Sequence, residues 1–410
     1  MASHSYRSPG LVTTEHEIQV PLDHDDPGGE QITVFAREVA AADGGAERPY
    51  LVFLQGGPGY EAPRPTASSP GWLRRALNDY RVLMLDQRGT GRSTPVGTLD
   101  DKSPQQQADY LAHFRADSIV KDAELLRAHL GSDPWAALGQ SFGGLTLTTY
   151  LSHAPGGLTE AFFTGGLPIV GRSPDEVYAT TWQIVIERNH RYFERYPEDR
   201  DRVHAIRRLL DGEDVRLSTG ERLSWRRFRQ VGGLLGSGDG FERLHYILEL
   251  DPRSRAFAFD VADIQNFSRN PLYAVLHEAC WADGFTTNWS AERTMPPEID
   301  GDDLLVGEHL YPQVFDDYAG LAPLREAGEL LAQREWPRLY DADRLRANEV
   351  PAAAAVYADD LYVPRVCSEP TAKLIKGLKP WLTNEYEHNG LATDGDRILS
   401  RLIELARGLV

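Results

Sequence analysis

The chain has 410 residues, 41% hydrophobic and 25% charged, enough to bury a sizeable core as one large domain with an insertion or as two domains. A formal net charge of −18 argues against a nucleic-acid partner, whose phosphates need a cationic surface. An acidic surface favours cationic or amine-bearing small substrates, although solubility alone accounts for it equally well.

The opening residues "MASHSYRSPG" contain no apolar signal core, and no apolar run of membrane-spanning length follows. With two cysteines far apart, Cys280 and Cys367, a secreted disulfide framework is not expected, and a reducing, cytoplasmic address is. Residues 17–38 alternate apolar and polar positions around a Pro-Gly-Gly break, which predicts an antiparallel hairpin. "PYLVFL" (49–54) predicts a strand buried on both faces, running into the loop "QGGPG". "RVLMLD" (81–86) predicts a second such strand, ending in "QRGTGRS". Residues 118–130 have helical spacing, with Ile119, Leu125, Leu126 and Leu130 expected on one side. "PWAALG" (134–139) predicts a strand, "GGLTLTTYLSHAP" a helix stopped by its proline, and "LTEAFFTGG" (158–166) a fourth strand. Strand and helix in this rhythm specify a parallel sheet covered on both faces.

From about 170 to 335 the rhythm stops, and helical segments rich in aromatics and arginine take over. Strand character returns at "VPAAAAVYADD" (350–360), a helix follows at "PTAKLIKGL", and a last strand leads into "EYEHNG" before a C-terminal amphipathic helix. The expected organisation is an α/β core over 1–169 and 336–410, interrupted by a helical cap over 170–335. No internal repeat or low-complexity tract is present.

"LGQSFGG" (138–144) places Gly139, Ser141 and Gly143 between a predicted strand and a predicted helix. That is the setting of a nucleophile elbow, where flanking glycines permit a tight turn that lifts a serine hydroxyl above the sheet edge. The competing reading is a glycine-rich turn with a capping serine. A serine hydroxyl attacks only when a positioned base takes its proton, so an acid and then a histidine should follow on later loops. Asp359 and Asp360 close the strand near 350–360, and of twelve histidines only His388 lies beyond the last predicted strand. The glycine loop then acquires a role: the N–H of Phe142 and that of Gly56 or Gly57 would hold the oxyanion. "LDQRGTGRS" lacks the Gly-Lys-Ser/Thr of a phosphate loop and a full dinucleotide fingerprint, so Arg88 or Arg92 is expected to pair structurally and no nucleotide is expected.

Together "QGGPG", "DQRGTGRS", "GQSFGG", "YADDLYVP" and "YEHNGLATDG" resemble the proline iminopeptidases (prolyl aminopeptidases), α/β-hydrolases with a helical cap. The resemblance spans about residues 50–410. It implies a triad of Ser141, Asp360 and His388, with Asp360 rather than Asp359 because Pro364 follows it as in the family. It implies release of an N-terminal proline from short peptides, and neither metal nor cofactor; of the two loop glycines, Gly57 is taken with Phe142 as the oxyanion pair. One departure stands out: Gln55 occupies the place where the family's glycine loop usually begins with histidine, and an amide can still brace the loop.

A cationic prolyl amine calls for a carboxylate in a partly dehydrated pocket. Glu278, near Tyr273, His277 and Trp281 in "PLYAVLHEACWADG", is the first candidate, and Glu176 in "SPDEVY" the second. Both could equally be solvated helix glutamates, and Cys280 beside Glu278 could be simple packing. The rival functions are an esterase on the same fold, acting on neutral acyl groups, and a catalytically silent binding protein. The oligomeric state is left open.

Overall fold

The computed structural model describes residues 4–66, 69–264 and 267–410. Nine strands form one sheet: β1 (His4–Ser8), β2 (Leu11–Pro21), β3 (Gln31–Ala41), β4 (Tyr50–Leu54), β5 (Arg81–Asp86), β6 (Trp135–Gln140), β7 (Leu158–Thr164), β8 (Ala352–Tyr357) and β9 (Lys379–Thr383). Their spatial order is β1-β2-β3-β5-β4-β6-β7-β8-β9. The first three strands meander antiparallel onto β5, and every pairing from β5 through β9 is parallel.

The central strands read as unbroken apolar runs because both of their faces are covered. Leu51, Phe53, Val82, Met84, Ala136 and Leu138 pack with Trp72, Leu73, Ile398, Leu399 and Leu402 of the helices Gly71–Ala76 and Gly390–Ala406. The alternate residues Val52, Leu54, Leu83, Leu85 and Ala137 pack with Ile119, Val120, Leu126, Leu145 and Leu151 of the helices Ala116–His129 and Phe142–His153. The helix after residue 115 buries Ile119, Val120, Ala123 and Leu126, whereas Leu125 is exposed. At about 100° per residue Leu125 lies some 120° round the helix from Ile119, so it cannot share its face.

The predicted hairpin is β2–β3, and β1 adds an exposed edge strand that the sequence did not announce. Among the described residues between Thr164 and Ala352 the sheet receives no strand; helices and short turns fill that stretch, from Pro174–Arg195 to Ala342–Arg346. Arg88 is fully buried, forked onto Asp122 at 2.6 and 2.7 Å and donating to the carbonyls of Pro21, Leu22 and His113. Arg92 pairs with Glu15 and Glu17. Removing one member of a buried, hydrogen-bonded pair such as Arg88–Asp122 typically costs about 3–5 kcal/mol, because the other charge is left stranded. Among the described residues no helix is long and apolar enough to cross a membrane.

Candidate active site

Ser141 joins the end of β6 to the helix Phe142–His153 with φ 54° and ψ −125°. A side-chain-bearing residue at positive φ is strained by roughly 1–3 kcal/mol and needs surroundings that over-determine it. Here the Ser141 N–H donates to Thr164 O at 3.0 Å, and the Gly144 N–H donates to Ser141 O at 2.7 Å. Glycines let the turn press on its neighbours. A Cβ at Gly143 would collide with the Leu54 carbonyl, one at Gly144 with the Gly166 carbonyl, and one at Gly166 with the Ser141 carbonyl.

The helix thus begins directly at the serine. Phe142 is its first residue, so its N–H has no acceptor within the helix and is free for a developing negative charge. The loop after β4 closes the other side. A Cβ on Gly56 would lie 3.0 Å from Ser141 Cβ, and Gly57 has φ 138°. Gln87 Nε2 donates to the Gln55 carbonyl at 2.9 Å, fixing the loop at the position where the sequence departs from the family pattern.

His388 and Asp360 meet across the loops after β9 and β8. His388 Nδ1 lies 2.8 Å from Asp360 Oδ2 and 3.0 Å from Oδ1. Asp360 is buried, and its Oδ1 also accepts from the backbone N–H groups of Tyr362 and Val363 at 2.9 and 3.0 Å. Its neighbour Asp359 points away to Arg191 at 3.2 Å and is half exposed. Burial alone would lower the His388 pKa, but the Asp360 carboxylate outweighs it, so the imidazole titrates above its ordinary value. Gly165, at φ 52°, lets β7 run beside the pair: a Cβ there would stand 3.1 Å from Asp360 Oδ2 and 3.2 Å from His388 Nδ1.

Ser141 and His388 open into one cavity of about 520 Å³, whose walls include Gln55, Gly56, Gly57 and Gln140 from the core. Tyr60, Phe267, Tyr273 and Tyr362 give it an aromatic lining. Tyr273 stacks on Phe267 at 5.4 Å and meets Tyr60 edge-on at 5.4 Å, while Tyr362 stands edge-on to His388 at 4.8 Å.

Two cap carboxylates line this cavity, Asp263 and Glu308, neither of them singled out from the sequence, and Glu308 is the one hydrogen-bonded to its aromatic lining. Tyr273 donates its hydroxyl to Glu308 Oε1 at 2.6 Å. Burial pushes the Glu308 carboxyl up, a shift opposed by His388 and the Tyr273 hydroxyl. Tyr273 therefore lies where the sequence predicts, on the pocket wall, but Glu278 does not face the cavity. Its two oxygens accept from Ser290 N at 3.0 Å and Ala291 N at 2.8 Å, capping the short helix Ser290–Arg293, and burial pushes it up to about 7. Glu176 is exposed at the start of the helix Pro174–Arg195, closing a capping box with Ser173 and pairing with Arg172. Trp281 is buried outside the cavity wall, and the Cys280 thiol donates to the His277 carbonyl at 2.7 Å. Glu278 and Glu176 are thus occupied by helix ends, and Glu308 in "VGEHLYP" lines the cavity that holds Ser141.

A model of the alpha/beta hydrolase fold matches residues 49–394, the span that carries the elbow, the acid and the imidazole. A proline iminopeptidase of Aeromonas sobria is 46% identical over 417 aligned positions, covering 97% of this chain and 97% of that protein. A proline iminopeptidase of Aspergillus aculeatus is 33% identical, covering 98% of this chain and 95% of that protein. Likeness at this level over the full length extends through the cap as well as the hydrolase core. The chain belongs to the proline iminopeptidase family of α/β-hydrolase-fold enzymes.

Proposed function

We propose that this enzyme is a serine exopeptidase that releases an N-terminal proline from short peptides. The observation that carries the reading is the single cavity in which Ser141 and His388 face a cap carboxylate, Glu308, enclosed by aromatic rings. A serine and an imidazole alone would serve an esterase equally well. The enclosed carboxylate is what a cationic amine requires and a neutral acyl group does not.

In this mechanism the pyrrolidine ring packs among Tyr60, Phe267 and Tyr273, with its ammonium on Glu308. Ser141 Oγ attacks the prolyl carbonyl while His388 Nε2 takes its proton. Asp360, already on Nδ1, holds the tautomer that leaves Nε2 free and stabilises the cation that forms. The N–H groups of Phe142 and Gly57 receive the oxyanion. Collapse breaks the peptide bond as His388 returns the proton to the leaving amine, and a water activated by the same imidazole then cleaves the prolyl ester. Each proton and charge is handled by this chain's own groups, and no step calls on a metal or cofactor. Both cysteines are free and buried, which suits a reducing compartment such as the cytoplasm.

Hydrolysis of prolyl-naphthylamide with a free and with an acetylated nitrogen tests the proposal. Cleavage restricted to the free compound is expected. Equal cleavage of the blocked compound would replace this reading with that of an esterase-type hydrolase. Failure of a fluorophosphonate to label Ser141 would favour a silent binding protein.

A further inference from the structure

The same cavity carries one further charged group that the mechanism does not use. Among the described residues on its wall Arg243 is the one arginine or lysine, set on the helix Gly240–Leu248 beside Gly233 and Leu234. Its side chain is half exposed, and its nearest carboxylate, Asp239, stands 4.0 Å away at the outer limit of an ion pair. Among the described residues its guanidinium donates no side-chain hydrogen bond, so its planar fork of donors is available to a ligand.

Glu308 lies close enough to His388 and Asp360 for their charges to act on it, which sets the amine end of a substrate beside the reacting serine. Arg243 lines the same cavity from another cap element, the helix Gly240–Leu248. A volume of about 520 Å³ leaves room beyond the prolyl ring for the residues that follow the scissile bond. A short peptide is a zwitterion: its ammonium and its terminal carboxylate are separated by the length of the chain. A wall with an enclosed carboxylate, Glu308, and a guanidinium held only by a 4.0 Å ion pair on another cap element has matching polarity.

We infer that Arg243 binds the C-terminal carboxylate of the substrate, so that the enzyme prefers unblocked prolyl di- and tripeptides to longer or amidated chains. Asp263 is a second carboxylate on the same wall. The inference rests on the prolyl-releasing reading above. A charge-assisted contact at a half-exposed site is worth about one factor of ten.

The experiment compares kcat/KM for Pro-Ala, Pro-Ala-amide and prolyl-naphthylamide in the natural enzyme, Arg243→Gln and Arg243→Lys. The expected result is an acid-to-amide ratio of about ten in the natural enzyme, carried by KM and reduced by salt. It should fall to about one in Arg243→Gln and recover in part in Arg243→Lys. A ratio near one in the natural enzyme, or the same ratio in Arg243→Gln, would overturn the assignment while cleavage of prolyl-naphthylamide left the proposed function standing. If no prolyl substrate is turned over at all, the proposed function fails first and this inference falls with it.

Discussion

Around Ser141 the backbone is wedged between carbonyl oxygens by glycines, whereas around Glu308 the cap holds its groups with side chains: a tyrosine hydroxyl, stacked rings and a long-range carboxylate. The first arrangement leaves almost no freedom, because main-chain atoms cannot step aside for a Cβ. The second can be rebuilt one side chain at a time. The nucleophile side is thus the rigid part of the site, and the proposed function places substrate choice on the cap side.

The comparison breaks most sharply at the nucleophile. Ser141→Ala is expected to lower prolyl-naphthylamide turnover by at least about 10⁴-fold with an unchanged circular dichroism spectrum. Retained turnover would mean that another group attacks. On the cap side, Glu308→Gln should cost about 10²-fold in kcat/KM for free prolyl substrates, since an ammonium is then buried without its partner. Glu278→Gln should leave that discrimination intact and instead lower the unfolding midpoint, because it disturbs the acceptor of the Ser290 and Ala291 N–H groups. If Glu278→Gln abolished amine selectivity and Glu308→Gln did not, the two carboxylates would have to exchange roles.

The rigidity of the elbow has its own test. Gly143→Ala sets a Cβ against the Leu54 carbonyl and should destabilise by at least about 2 kcal/mol in urea unfolding, or prevent recovery of folded protein. Gly212→Ala, at a position where a Cβ meets nothing within 4 Å, should be neutral or slightly stabilising. The smallest effect concerns pH. On the proposed mechanism activity needs His388 neutral and Glu308 ionised, and both pKa values are raised, so both protonations should remove activity on the acid side. Below both pKa values log kcat/KM should fall with a slope approaching two, against one for Glu308→Gln, a difference of about tenfold per pH unit. Equal slopes in both enzymes would dissociate Glu308 from the amine.

The same contrast explains what could be read from the chain. The elbow, the glycine loop and the apolar strands are local: each motif carries its own geometry, so Ser141, Gly57 and Phe142 could be placed from short stretches. Asp360 and His388 follow from order along the fold. Glu308 sits in "LLVGEHLYP", a segment with neither helical nor strand periodicity, and its partner Tyr273 is far away in sequence. Glu278 looked apt because aromatic residues surround it, but its hydrogen-bond donors arrive from residues 290 and 291. A carboxylate's partner is a tertiary fact. The edge strand β1 was missed for a related reason: "HSYRS" is wholly exposed and has no apolar pattern, being held by backbone pairing to β2.

The cap enters after β7 and the chain returns to the sheet only at β8. On a ribosome Ser141 therefore emerges long before Asp360 and His388, which follow the whole insertion. A nascent chain therefore carries the Ser141 hydroxyl without Asp360 and His388 until β8, β9 and their loops have been made. On the proposed mechanism, a truncated product ending before that loop lacks the base that Ser141 needs.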